Sequence, residues 1–213
     1  MNFKKPLATW ALLASLAPLL GGCFGVAMVG MGAGVMMATD RRPSDTYVAD
    51  EAIELRSGNR INEKFGDRVH VNATSYNRTV LLTGEVPDAA ARVAVEKLIN
   101  GVPNVRAVAN ELQVSGISSL AARSSDSYLT SKVKARFVDM GKFSANHVKV
   151  ISESGTVYLL GLVTQGESDA ASDIARTTGG VMKVVRVFEV VSDDEARRLD
   201  NRPPNAAQKP ATP

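Results

Sequence analysis

The sequence predicts an α+β protein built from two copies of one small domain. The segment NRTVLLTGEV at residues 77–86 aligns with SGTVYLLGLV at residues 154–163, and the flanking segments align at offsets of 77 to 79 residues. A repeat of that length is too long for a solenoid unit and fits a small domain. Within each copy the apolar residues first recur at helical spacing and then alternate, which indicates a helix followed by strands.

Each copy predicts the element order αββαβ. The first helix is indicated by apolar residues at helical spacing, four or eight positions apart, namely Ile53, Ile61 and Phe65 in copy one and Leu129, Val133 and Phe137 in copy two. Two alternating segments follow as strands. The second helix begins near Pro87 in copy one, where proline suits a first turn, and at Thr164 with capping-box spacing to Glu167 in copy two. A valine-rich strand closes each copy. Because a βαβ step crosses over right-handed, we expect a small mixed three-stranded sheet with two helices packed on it.

A glycine near the end of the second strand recurs as Gly84 and Gly161, and we interpret both as structural glycines. The element order, these glycines and the pairing of two copies resemble the BON domain family over about residues 47–191. The resemblance implies two tandem BON domains and a non-enzymatic role.

The single cysteine follows an export-type leader. Lys4 and Lys5 precede an uncharged apolar run at residues 7–20, and the segment LGGC at residues 20–23 comes next. This segment resembles the bacterial lipobox, which predicts Cys23 as the lipid attachment site, carrying a diacylglycerol and an N-acyl chain. The alternatives are a buried structural cysteine or a membrane span through residues 7–38, which is long enough for a bilayer but is interrupted by glycines.

The residues after the cysteine and the overall charge point to the outer membrane and away from nucleic acid. Phe24 and Gly25 stand where an inner-membrane lipoprotein of enteric bacteria tends to carry Asp, so the leader resembles an outer-membrane address facing the periplasm. The net charge of +3 includes two lysines of the leader, and no basic block remains after its removal. This pattern disfavours a nucleic-acid partner.

The predicted organisation is a signal peptide at residues 1–22, an acylated tether at 23–46, domain one at 47–115, a linker at 116–125, domain two at 126–191 and a charged, disordered tail at 192–213.

No catalytic residue, metal site or cofactor is predicted beyond the acyl chains on Cys23. His70 and His147 fall at matching places in the two copies, but neither has partners at ligand spacing, so we expect solvated histidines at strand edges. The segment GMGAG at residues 30–34 lacks the strand and helix of a phosphate loop. An enzyme is therefore not expected.

The first helices of the two copies differ in charge. Residues 126–149 carry five basic and two acidic residues, whereas residues 50–65 carry three basic and four acidic residues. Tyr128, Lys132 and Arg136 lie four apart and form one row of the helix, beside a core row that begins at Leu129. An aromatic ring with two cations along its row suits a membrane interface.

The chain resembles outer-membrane lipoproteins with two BON domains. Those proteins contact anionic phospholipids such as phosphatidylglycerol and cardiolipin through the first helix of their second BON domain. The resemblance implies phospholipid contacts at Tyr128, Leu129, Lys132, Lys134 and Arg136, support of envelope integrity and enrichment at the division site. The alternatives are a solvated basic face with a half-buried tyrosine, a scaffold that binds an envelope-assembly protein, and a periplasmic stress-type BON protein.

Overall fold

The computed structural model describes residues 40–202, which lie within one compact unit, Met37–Pro213. The predicted signal peptide, Cys23 and most of the predicted tether lie outside the described residues, as does the end of the chain from residue 203.

The first domain has the predicted order αββαβ, with its last strand in two pieces. Its elements are α1 (Ser44–Phe65), β1 (His70–Tyr76), β2 (Thr79–Val86), α2 (Ala89–Asn100), β3 (Ala107–Asn110) and β4 (Gln113–Val114). β3 and β4 pair with β2 in one register, and residues 111 and 112 interrupt the strand between them; Leu112 lies in the core, where 3% of its surface is exposed.

The second domain repeats this order and adds one helix. Its elements are α3 (Leu120–Met140), β5 (Lys149–Glu153), β6 (Thr156–Val163), α4 (Gln165–Arg176), β7 (Lys183–Val190) and α5 (Asp193–Asp200). The predicted α+β class with two small mixed sheets is confirmed.

The middle strand of each sheet is the second strand of its domain. β2 pairs antiparallel with β1 and parallel with β3 and β4. β6 pairs antiparallel with β5 and parallel with all of β7, from Thr156 opposite Lys183 to Val163 opposite Val190. The parallel pairings are those expected from the right-handed crossovers through α2 and α4.

Three apolar clusters arrange the two domains in four layers. Val80 and Leu82 of β2 face α1 and α2, and Val157 and Leu159 of β6 face α3 and α4. The alternate residues form a third cluster between the two sheets, which comprises Tyr76, Leu81, Tyr158, Leu160 and Leu162. The sheets therefore pack face to face with the helices outside, and both central strands are apolar on both faces because both faces are covered.

Three boundaries differ from the sequence expectations. Helix α1 begins at Ser44, inside the predicted tether, and α3 begins at Leu120, inside the predicted linker, capped by the hydroxyl of Ser119. The predicted disordered tail contains α5, whose first turn is acidic and whose N-cap Ser192 accepts from the N–H of Glu195. An acidic first turn and a serine N-cap both favour the start of a helix. The prolines of the segment nevertheless favoured the prediction of a disordered tail.

The two repeated glycines lie where neighbouring strands approach most closely. A Cβ at Gly84, where φ is +110°, would collide with the carbonyl group of His70. A Cβ at Gly161 would collide with the carbonyl of His147 at the matching place in the second sheet. Glycine at both positions is thus required by the close approach of the backbone.

Candidate functional site

Helix α3 places the predicted lipid-contact residues on different faces. Tyr128 lies on the outer face with 71% of its surface exposed, whereas Leu129 is 6% exposed and belongs to the domain core. Leu129 reaches the surface only as one wall of a groove. Lys134 lies on another side of the helix, toward Lys149, where partial burial and that second ammonium lower the pKa of Lys134. The structure does not bring Leu129 and Lys134 into the row of Tyr128.

The two other predicted cations are engaged by the end of α4. Lys132 Nζ donates to the carbonyl of Gly179 at 2.8 Å. Arg136 donates to the carbonyl of Ile174 at 3.0 Å and to the hydroxyls of Thr177 and Thr178 at 3.1 and 2.9 Å. Cations satisfy the free carbonyls at a helix C-terminus, so Arg136 holds the end of α4 in place.

Comparison of α3 with α1 of the first domain shows which contacts of the α3 side chains occur in both domains and are therefore structural. Asp50 accepts from the backbone N–H groups of Asn77 and Arg78, and Asp126 accepts from those of Ser154 and Gly155. The two aspartates thus hold the same place in α1 and α3.

With the aspartates superposed, Arg60 takes the place of Arg136, and it also binds a carbonyl after the second helix, that of Gly101 at 2.8 Å. The arginine is common to both copies. Tyr128 is not, because Ala52 stands at its place in α1. The specific feature of domain two is therefore the tyrosine, because Arg56 stands at the place of Lys132 in α1 and a cation is common to both copies there.

A groove of about 390 Å³ lies beside Tyr128. Its lining includes Tyr128, Leu129, Lys132 and the backbone of Gly179 and Gly180. Met182, which is 78% exposed, contacts the turn at Gly155 on the same rim. The groove thus has an aromatic ring and one ammonium group in its lining, and the Met182 thioether lies against Gly155, which also belongs to the lining. No sequence pattern indicates Met182 as part of this surface, because its contact with the turn at Gly155 joins residues that are far apart along the chain.

Residues 40–42 fix the start of the described chain to both domains. Arg41, with 3% of its side chain exposed, pairs with Glu167 and Asp200 and donates to the carbonyl of Leu162 at 2.9 Å. Arg42 pairs with Asp40 and with Asp50 of α1. Its guanidinium also lies 4.1 Å from the ring centre of Tyr76, a cation–π distance.

These ion pairs change the acidity of the two carboxyls that Arg41 contacts. Burial would raise the pKa of Glu167, but hydrogen bonds from Arg41 and from the N–H of Thr164 outweigh it, so the pKa lies below the usual value. The hydrogen bond from Arg41 is the largest cause of the lowered pKa of Asp200. The chain therefore leaves the folded body toward Cys23 from a point held by ionised groups.

Both histidines have carboxylate partners, contrary to the expectation of solvated residues. His70 Nδ1 lies 2.8 Å from Glu85 Oε2, and His147 Nδ1 lies 3.3 Å from Glu167 Oε1. His147 is 8% exposed. The partners are 15 and 20 residues away along the chain, on a paired strand and on a packed helix, so sequence spacing did not indicate them.

Among residues 40–202, no helix combines the length and the apolar character needed to cross a bilayer.

Comparison with known proteins matches both repeats. The BON domain family matches residues 49–116 and 125–192. The chain is 40% identical over 187 residues to the outer membrane lipoprotein DolP of Haemophilus influenzae, covering 87% of this chain and 97% of that protein.

Two further relatives are more distant. The 21 kDa hemolysin of Actinobacillus pleuropneumoniae is 31% identical over 154 residues, which is 71% of this chain and 79% of that protein. The osmotically-inducible protein Y of Escherichia coli is 31% identical over 117 residues, or 54% of this chain and 58% of that protein. The resemblance that the repeats indicate, to outer-membrane lipoproteins with two BON domains, is confirmed.

Proposed function

This chain belongs to the BON domain family and is a non-enzymatic protein of the outer membrane, and from that premise we propose that its second domain contacts anionic phospholipid. In this proposal Cys23 carries the acyl chains, the folded body faces the periplasm, and lipid contact supports envelope integrity and enriches the protein at the division site.

The acyl anchor and the groove have different tasks because they contribute very different free energies to membrane binding. Each buried CH₂ of an acyl chain contributes about 0.8 kcal/mol, so two or three chains hold the protein on a membrane. One cation near an anionic surface contributes about 1 kcal/mol. The groove therefore selects which lipids lie beneath domain two and which face of the protein approaches the membrane.

The observation that carries the proposal is the exposed pair Tyr128 and Met182 beside Lys132. At 71% and 78% exposure, both large side chains stand in solvent on one rim, where a membrane interface would cover them. The tyrosine ring suits the depth of the lipid headgroups. Lys132 has donors left after its bond to Gly179, and these suit a lipid phosphate.

In this proposal, Tyr128 and Lys132 are the lipid-contact residues kept from the predicted set, and Met182 is added to them. Arg136 shapes the groove by holding residues 177 and 178, as Arg60 does for the corresponding loop of domain one. Charge reversal at Arg136 would therefore disturb the end of α4 and is a poor test of lipid contact.

The test is co-sedimentation of the unit Met37–Pro213, which lacks Cys23, with lipid vesicles. Vesicles of phosphatidylcholine are compared with vesicles that also contain phosphatidylglycerol or cardiolipin. We expect binding to the anionic vesicles only. The double variant Tyr128→Ala/Lys132→Glu should weaken binding at least ten-fold. Alanine is chosen at position 128 because domain one has alanine at the corresponding place.

The matched control is Arg56→Glu, which reverses a charge at the place of Lys132 in the first domain and should leave binding unchanged. Equal binding to both kinds of vesicle, or full binding by the double variant, would contradict the proposal.

A protein-binding scaffold is the second candidate, and α1 favours it. Val48 and Leu55 lie on its outer face with 61% and 68% exposure, and Glu51 lies between them. An apolar stripe with a carboxylate suits a protein partner better than an anionic membrane. Absence of binding to any vesicle in the sedimentation test would favour this candidate.

A further inference from the structure

Three potential metal ligands meet in the cleft between the two domains. His70 at the start of β1, Glu85 near the end of β2 and Glu153 at the end of β5 each offer one ligand atom, and these atoms lie within 4.8 Å of one another. The first two belong to domain one and the third to domain two. The cleft that reaches them has a volume of about 410 Å³ and is lined by polar groups that include Asn72, Thr130 and Ser152.

The two carboxylates are buried, and within residues 40–202 neither has an ammonium or guanidinium partner. Glu85 is 3% exposed and Glu153 is 5% exposed. Their other partners are neutral donors: Asn72 Nδ2 lies 3.2 Å from Glu153, and the N–H of Ser118 lies 3.2 Å from Glu85. In the described part of the chain, no lysine or arginine forms an ion pair with either carboxylate.

Burial of like charges requires compensation. The carboxylate oxygens of Glu85 and Glu153 lie within 4.8 Å of each other, and both residues are almost fully buried, so two like charges would share one site that water reaches poorly. The corresponding place in domain two shows one solution, because there Arg41 pairs with Glu167 and Asp200 beside His147. The His70 cluster has two carboxylates and a histidine in the same manner, but among the described residues no arginine pairs with them: Arg123, which also lines the cleft, donates to Ser118 instead.

We propose that His70, Glu85 and Glu153 bind one divalent transition-metal ion, preferentially Zn²⁺, between the two BON domains. The ligand set suits this ion, since zinc takes imidazole nitrogen and carboxylate oxygen in one coordination sphere. Ca²⁺ and Mg²⁺ prefer oxygen ligands alone, so the histidine disfavours them.

The three ligand atoms need to move only slightly to reach the distances found around a zinc ion. Ligand atoms about 2.1 Å from a tetrahedral zinc ion lie roughly 3.4 Å from one another. The distance of 2.8 Å between His70 Nδ1 and Glu85 Oε2 would increase by about 0.6 Å. The ligand atom of Glu153, which lies within 4.8 Å of the other two, would approach them by at most about 1.4 Å. The polar cleft supplies space for a water as fourth ligand.

The position of the ligands gives the ion a structural task. Because they come from both domains, a bound ion joins the two sheets at the edge of their apolar contact. Binding therefore stabilises the native arrangement of the domains relative to any form in which they separate.

The test uses the full chain in detergent micelles, without a histidine tag and stripped with a chelator. Calorimetric titration with ZnCl₂ should show one ion per chain, and saturating zinc should raise the temperature of thermal unfolding. Glu153→Gln and His70→Gln should each weaken zinc binding at least ten-fold. His147→Gln is the matched control, because Arg41 already neutralises the carboxylates of Glu167 and Asp200 beside His147. This variant should bind zinc as the wild type does.

Two measurements guard against a variant that merely misfolds. Glu153→Gln keeps an oxygen for Asn72 and removes a buried charge, so without metal it should unfold at or above the wild-type temperature. X-ray absorption of the zinc-loaded wild type should show one imidazole nitrogen among oxygen ligands.

Absence of saturable zinc binding by the wild type would overturn the proposal. Unchanged binding by Glu153→Gln, coordination without imidazole, or tighter binding of Mg²⁺ than of Zn²⁺ would also overturn it.

Discussion

At the scale of single residues, buried carboxylates hold the turns of the two hairpins. Asp50 is 1% exposed and Asp126 is 8% exposed, and each accepts two backbone N–H groups from the turn between the first two strands of its domain. The turn residues Asn77, Arg78, Ser154 and Gly155 all have positive φ values. A fixed acceptor beneath the turn compensates for a backbone conformation that most side chains disfavour.

We expect Asp126→Ala to destabilise the protein by about 2–4 kcal/mol, because two charge-assisted hydrogen bonds are lost and two N–H groups lose their partner. Asp126→Asn should lose less, since the amide keeps one acceptor. Urea unfolding monitored by circular dichroism measures both. Asp139→Ala, at an exposed position of the same helix, is the matched control and should change stability by less than about 0.5 kcal/mol. Equal effects of the two alanine variants would contradict this account.

At the scale of elements, the segment before α1 and the helix α5 are held together by Arg41. This arginine reaches the side chain of Asp200 in α5 and that of Glu167 in the first turn of α4. Neither end of the folded unit was expected from the sequence to be ordered. The contacts are 159 and 126 residues apart along the chain, so no local pattern could indicate them.

The lowered pKa values of Glu167 and Asp200 predict a specific acid response. A carboxyl whose folded-state pKa is depressed adds stability above its unfolded value near 4, and this is lost as the pH falls through the folded pKa. We therefore expect the wild type to lose more stability between pH 6 and pH 3 than Arg41→Gln does. Urea unfolding at both pH values measures this. An equal loss in the two proteins would show that Arg41 does not lower these pKa values.

The elements themselves were largely predictable, whereas the functional contacts were not. Periodic apolar residues such as Leu129, Val133 and Phe137 gave the helix and its buried face, and the aligned repeats gave the order αββαβ. The row of Tyr128 was also predictable from spacing. The engagement of Arg136 by the end of α4 could not be predicted, because its partners lie 38 to 42 residues away.

At the scale of the whole molecule, the two domains share one apolar interface between their sheets. Leu81 of the first sheet is 1% exposed and packs in the same cluster as Tyr158 and Leu160 of the second. Polar contacts surround this cluster, among them Lys149 with Glu54 at 2.8 Å and Asn77 with Glu189 at 2.8 Å. The sequence showed two similar domains but not that their sheets face each other. The apolar runs of the two central strands indicate that both faces are covered, but they do not identify what covers the second face.

We expect the two domains to unfold in one cooperative transition because of this interface. Leu81→Ala should destabilise the protein by about 2–5 kcal/mol, and hydrogen exchange should accelerate in β6 of the other domain as well as in β2. Val138→Ala, at a position that is 67% exposed, is the control. Two separate transitions, with only the first domain affected by Leu81→Ala, would contradict the shared interface.

If the groove rim of domain two meets anionic lipid, a single fluorescent label on that rim must enter the membrane. The chain has a single cysteine, Cys23, so the unit Met37–Pro213 contains none and accepts one environment-sensitive fluorophore at Met182→Cys. Leu55→Cys, on an equally exposed site of domain one, receives the same label as a control. With phosphatidylglycerol vesicles we predict a blue shift and quenching by lipid-borne quenchers at position 182 only. No change at position 182, or equal changes at both positions, would contradict the claim.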